Sequence, residues 1–157
     1  MPNYIHPVTI KAALEVASNL LPEDRREVEE GHGTNVFQYF LKVSQDPTNV
    51  WFDMPNGKAA GMAGVSKDGN IWMLCTPVIL EYPLTFARRA KRFVDSRPEP
   101  LLWNIVDKRN TVHLKLLKFL GFKFLREIRH GPNNLTFIEF AKCVNHNKNS
   151  TLKHSKR

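Results

Sequence analysis

Five consecutive residues, Ile71-Trp72-Met73-Leu74-Cys75, are apolar at every position and lie between Lys67-Asp68-Gly69 and Thr76-Pro77. A strand with one wet face alternates apolar and polar residues. An unbroken apolar run of this length marks a strand covered on both faces. The chain must therefore supply further strands beside this one and helices for two covering layers. Residues 50–53 and 58–65 provide two strands ahead of it. Pro55-Asn56-Gly57 and Lys67-Asp68-Gly69 are turn residues that tolerate positive φ, so the three strands read as successive antiparallel neighbours. Residues 101–106 form a second apolar strand. Residues 122–129 and 135–140 form a closing pair joined by the turn Gly131-Pro132-Asn133-Asn134.

Helical spacing fills the intervals. Residues 14–20 and 23–30 predict two short helices parted at Pro22, with Glu23 and Asp24 suited to the positive end of a helix dipole. The acidic and basic run 24–30 is expected to be a solvated face. Gly31 and Gly33 break the chain, which leaves His32 in an exposed loop. Val36, Phe37, Phe40 and Leu41 recur at helical spacing over 35–45, and Asp46-Pro47 ends that helix. Residues 85–96 are amphipathic, with Phe86, Ala90, Phe93 and Val94 on one arc and Arg88, Arg89, Lys91 and Arg92 opposite. Residues 110–120 form the last helix. Asn110 is placed to cap its start and Gly121 to end it, with Leu116, Phe119 and Leu120 expected against the sheet. Hairpins mixed with helical crossovers make this an α+β or mixed α/β domain, with one sheet covered by helices.

At 157 residues the chain suffices for one domain with one core. Residues 1–141 are assigned to it. No apolar run is long enough to span a membrane, and no signal peptide is expected. Five of the net eight positive charges lie from residue 142 onward, where there is no Asp or Glu. That segment, 142–157, is predicted to be a disordered basic tail, able to meet nucleic acid or an anionic surface. Cys75 belongs to the apolar strand and Cys143 to the start of the tail, so no disulfide is expected. Neither cysteine nor any histidine shows metal-ligand spacing, and no metal is expected.

The segment from Asn110 to Phe122 resembles the last helix motif of the GNAT acetyltransferase superfamily: an Asn, an Ala three residues on, a Leu-Tyr pair, then Gly-Phe. Trp103-Asn104-Ile105-Val106 fits the strand leading into it, and the element order fits the superfamily's GNAT-like mixed central sheet. Over residues 10–141 the chain is also similar to the GNAT-like small internal virion proteins of T7-like short-tailed phages. The residues concerned are Asp24-Arg25-Arg26-Glu27, Gly31, Trp72, the basic helix near Arg88, Leu102-Trp103-Asn104 and Asn110 to Gly121. This resemblance implies a role in virion assembly or genome ejection, other virion proteins as partners, and the host cytoplasm or the virion as location.

The GNAT resemblance also implies where acetyl-CoA would bind. The pyrophosphate would rest on backbone amides of a Gly-rich loop at a helix N-terminus. Residues 77–84 occupy that place here. They hold no glycine, contain Pro77 and Pro83, which donate no amide hydrogen, and carry Glu81, which repels phosphate. The Tyr that protonates the leaving thiolate in many members is replaced by Leu117, which has no proton to give. His113 stands where the motif has Ala, and a packed, hydrogen-bonded role is expected of it. The sequence therefore favours a non-enzymatic protein without a cofactor. An active acetyltransferase would have to use His113 and Tyr82 for acid–base work and Thr76, Val78 and Asn110 around acetyl-CoA. Arg88, Arg89 and Arg92 are the candidate interaction residues toward a protein or nucleic acid, and a solvated helix face also accounts for them.

Overall fold

A computed structural model describes residues 2–144. The first half of the sheet is antiparallel throughout, in the order β1 (Ile5–Pro7), β2 (Val50–Asp53), β3 (Ala59–Val65) and β4 (Ile71–Cys75). The second half runs β5 (Leu101–Asp107), β7 (Leu135–Cys143), β6 (Lys123–His130), also antiparallel. Strand β1 escapes the sequence pattern because it is three residues long and ends at Pro7, yet it pairs with β2 from Ile5 opposite Phe52 to Pro7 opposite Val50.

The halves meet where β4 and β5 start side by side in parallel, at a single bridge between Asn70 and Trp103. Three bonds lock this junction: Trp103 N–H to the Gly69 carbonyl (3.0 Å), the Trp103 indole N–H to the Asp68 carbonyl (3.0 Å), and Asn104 Nδ2 to the Ile71 carbonyl (2.6 Å). Gly69 has φ +89°, and a Cβ there would collide with the Leu101 carbonyl, so glycine is needed at this point. Beyond the bridge β4 and β5 share no ladder and draw apart. The two apolar strands are thus neighbours, as the sequence suggests. Their separation explains why Ile71, Trp72 and Met73 are only half-buried while Leu74 and Cys75 are buried.

Helices cover both faces. Helix α1 (Ile10–Ser18) and α3 (Val36–Val43) pack Val16, Ala17, Val36 and Phe40 against Met62 and Leu74. Thr9 and Asn35 cap these helices through their side chains, accepting from the amides of Ala12 and Gln38. The opposite face carries the single turn α4 (Val78–Glu81), α5 (Pro83–Asp95) and α6 (Thr111–Phe119). Their buried residues join Phe52, Met54, Leu102, Val106, Phe122 and Phe140 in a second cluster. Helix α2 (Pro22–Arg26) runs into a π-helical turn, Glu27–Gly31, closed by the bond from His32 N–H to the Glu27 carbonyl (2.9 Å).

Three sequence expectations are corrected here. In α6 the buried stripe is His113, Leu116, Leu117 and Leu120, at spacings of three and four. Phe119 points outward and is 53% exposed. Strand β7 continues past residue 141: Lys142 pairs with Leu102 and donates to the Leu120 carbonyl (2.6 Å), and Val144 is buried. The fold therefore reaches at least Val144, and Cys143 is a strand residue. The remainder of the expected tail lies outside the described residues. Third, the basic arc of α5 is exposed at Arg88, Lys91 and Arg92, as a solvated face would be, but Arg89 is partly buried and bonded within the fold. The Arg89 guanidinium lies 4.1 Å over the Tyr4 ring and donates to the Asp53 carbonyl (3.0 Å), and Arg92 donates to the Tyr4 hydroxyl (3.3 Å). Lys91 pairs with Asp95 on its own helix. Arg88 stays on the exposed face. No helix among the described residues is long and apolar enough to cross a membrane.

Candidate functional site

Because β4 and β5 diverge, a cavity of about 280 Å³ opens between them beneath α5 and α6. Its walls are chiefly apolar, with Phe52, Phe86, Phe93 and Leu116 among them, and His113, Arg89 and Asn104 bring polar groups to it. Apolar walls with a few polar groups are the usual make-up of a small-molecule site.

The polar end of this opening is a buried knot around Asp24, which has no exposure at all. One carboxylate oxygen, Oδ2, accepts the Cys75 amide (2.7 Å) and the other, Oδ1, accepts Asn110 Nδ2 (2.9 Å). Asn110 caps α6 by accepting the His113 amide (3.3 Å) and also donates to Glu27 Oε1 (3.2 Å). Glu27 Oε1 in turn accepts the Asp107 amide (3.1 Å). Asp24 and Glu27 are three residues apart on α2 and its continuation. Asn110 and His113 are three apart at the start of α6. Each pair therefore faces the same way, and the two helix ends interlock across the gap between the strands.

His113 is buried against this knot. Its Nε2 lies 3.3 Å from Asp24 Oδ1, outside hydrogen-bonding geometry, and has no hydrogen-bond partner. Burial pulls the His113 pKa down, but the Asp24 charge and the polar contacts with Asp24 and Cys75 outweigh it and hold the imidazole well above 6.5. Burial pushes the Cys75 thiol up to about 11, partly offset by His113, so it stays protonated at neutral pH. The knot continues outward. Asp107 binds Arg109 (2.8 Å), Arg109 binds Glu30 (2.9 Å), and His32 Nδ1 meets His130 Nε2 (2.9 Å) over Phe137. The solvated face expected of residues 24–30 is thus corrected at Asp24 and Glu27, and His32 is tied to the β6–β7 hairpin although it is partly exposed.

The loop after β4 is the place a pyrophosphate would need. Thr76 is buried, and its hydroxyl donates to the Ala59 carbonyl (3.0 Å) and accepts the Val78 amide (3.3 Å). The amides of Ile79, Leu80 and Tyr82 bind the carbonyls of Thr76, Pro77 and Ile79. Helix α5 starts at Pro83 without a side-chain cap. The donors of Thr76 are thus engaged by the Ala59 and Ala60 carbonyls of β3, the Val78 amide is engaged within the loop, and the Asn110 side chain is engaged in the knot. Of the two conditional acid–base residues, His113 lines the cavity, whereas Tyr82 is not among the lining residues and packs against the apolar cluster. What the sequence reading missed is the part played by Asp24 and Cys75. The paired spacings Asp24–Glu27 and Asn110–His113 are the one local hint of it.

No family model matches the chain, and no curated protein matches it in sequence. Solved structures do match. A GNAT-family acetyltransferase from Bacillus anthracis superposes with a TM-score of 0.67 at 11% identity, covering 88% of this chain and 93% of that one. The yncA protein of Salmonella typhimurium, solved with its cofactor acetyl-CoA, gives 0.64 at 11% identity over 92% and 96%. The ribosomal-protein-S18-alanine N-acetyltransferase of Escherichia coli gives 0.61 at 18% identity over 90% and 94%. The fold is the GNAT fold, in a single domain. Identities this low carry the architecture alone, since a fold hosts many chemistries.

Proposed function

We propose that this chain uses the GNAT scaffold without transferring acetyl groups, as a structural component of a short-tailed phage that acts in virion assembly or genome ejection. The observation that carries the non-catalytic part is the loop after β4. The amides of Val78, Ile79, Leu80 and Tyr82 are bonded within the turn, Pro77 and Pro83 supply none, and the Glu81 carboxylate is exposed on it. A pyrophosphate needs several convergent free amides and no adjacent anion. Leu117 fills the place of the usual proton donor and is a buried core residue. The phage part rests on the resemblance along residues 10–141. It carries with it other virion proteins as partners and the host cytoplasm or virion as location; nucleic acid as a partner rests instead on the positive charge of the basic tail, residues 142–157, and of the helix near Arg88.

A second reading, N-acetyl transfer from acetyl-CoA through an atypical site, is the one the structural neighbours fit better, since they are acetyltransferases, and the cavity between β4 and β5 reaches His113. The neighbours solved with acetyl-CoA or CoA support looking for it. Calorimetry of the purified chain with acetyl-CoA separates the two. The first reading expects no binding at millimolar ligand and no transfer to a panel of amines. Micromolar binding, with turnover lost in His113→Ala, would replace it with the second.

A further inference from the structure

Asp24, Cys75 and His113 come from three different elements, and their ligand-type atoms all lie within 4.8 Å of one another in the buried knot. We propose that these three side chains form a zinc site. Each supplies a donor that zinc accepts: a carboxylate oxygen, a sulfur and an imidazole nitrogen. A tetrahedral ion with ordinary bond lengths holds such atoms about 3.3–3.6 Å apart. His113 Nε2 and Asp24 Oδ1 already stand at 3.3 Å, so only a modest inward shift is needed around the sulfur.

The independent sign of a missing ligand is His113 Nε2. It is buried and lies 3.3 Å from Asp24 Oδ1 as a charge contact, yet it makes no hydrogen bond of proper geometry. A buried nitrogen left so is costly, and a cation in the knot would use it. The charges balance: a thiolate and a carboxylate offset the two charges of zinc, and the Cys75 proton and the proton that Asp24 favours on the His113 imidazole both leave for solvent as the metal binds. Asn110 supplies the outer support, since its Nδ2 holds Asp24 Oδ1 in place. His113 also lines the cavity, so a water can complete the coordination from that side. The site does not depend on whether the chain transfers acetyl groups.

The test uses the full chain, folded with cobalt as a spectroscopic stand-in and with zinc in competition against a chromophoric chelator. One cobalt per chain should bind with a thiolate-to-cobalt charge-transfer band and tetrahedral visible bands. Cys75→Ser should abolish the charge-transfer band, and Cys143→Ser should leave it intact. Asn110→Asp, which keeps a helix cap, should weaken zinc by about 10–100-fold. Zinc uptake below a tenth of an equivalent in the wild-type chain would overturn the proposal without recourse to any variant. So would cobalt uptake lacking the thiolate band, or a band that survives Cys75→Ser in a chain whose circular dichroism is native.

Discussion

Helices α5 and α6 each follow one of the two central strands, and they begin in opposite ways. Helix α6 starts in a buried polar knot: Asn110 caps it and simultaneously binds Asp24 and Glu27 from the other side of the gap. Helix α5 starts at Pro83 with no side-chain cap, behind a turn in which the amides of Val78, Ile79, Leu80 and Tyr82 are bonded. The α5 end thus offers two prolines and an exposed carboxylate, Glu81, where the α6 end offers a capping amide. The comparison teaches that the polar investment of this molecule sits at the α6 end, where burial makes each polar contact expensive to lose.

The largest test of that difference is Asp24→Ala. It strips the acceptor from the Cys75 amide and the Asn110 side chain at once and removes the charge facing His113. A loss of about 3–5 kcal/mol in urea-denaturation stability is expected. A loss under about 1 kcal/mol would mean that the knot is not structural. Next come the faces of α6. Leu116→Ala and Leu117→Ala should each cost about 2–5 kcal/mol, because each opens a cavity in the core. Phe119→Ala should cost about 1 kcal/mol or less, since Phe119 is exposed. Equal losses at all three positions would refute the stripe.

A smaller effect should appear in the pH dependence. Burial draws the His130 pKa below 6.5, and the neighbouring His32 lowers it further. The unfolded chain therefore binds the extra proton first. Stability from this contact is present above about pH 6.5 and is lost as pH falls through the folded pKa. His113, held above 6.5, contributes with the opposite sign, so the His130 share is read as a difference: between about pH 7.5 and about pH 5.5 the melting temperature of His130→Gln should fall less, or rise more, than that of the wild type. The smallest changes belong to the start of α5 and the surface. Glu81→Ala and Lys115→Ala, both at exposed positions, should each shift stability by about 0.5 kcal/mol or less. If Glu81→Ala instead created measurable acetyl-CoA binding, its carboxylate would be the main obstacle to the phosphate and the loop amides would not.

Much of the fold was legible in residue order. The unbroken apolar run Ile71–Cys75, the turn residues before and after β3, and the Asn110 cap with Gly121 place their elements to within a residue or two. Strand β1 was not legible, since three residues carry too little periodicity. The π-helical turn was not legible either. It depends on Gly31 lying close against Phe137, a residue more than a hundred positions away in the chain. The misplacement of Phe119 has a similar cause. A helix wheel bearing Leu114, Leu116, Leu117, Phe119 and Leu120 is apolar over so wide an arc that only the sheet decides which edge is covered.

By itself the sequence determined the element order, the two apolar central strands, the caps of α6 and the absence of glycine from the loop after β4. All of these are local, written in neighbouring residues through turn chemistry, periodicity and the missing amides of proline. Only the tertiary structure decided that Asp24, Cys75 and His113 meet, that Arg89 and Arg92 contact Tyr4, and that β4 and β5 part after a single bridge. Side-chain convergence across separate elements has no signature in local spacing. It follows from how the two sheet halves pack, and that packing is set by the sum of many apolar contacts rather than by any one motif.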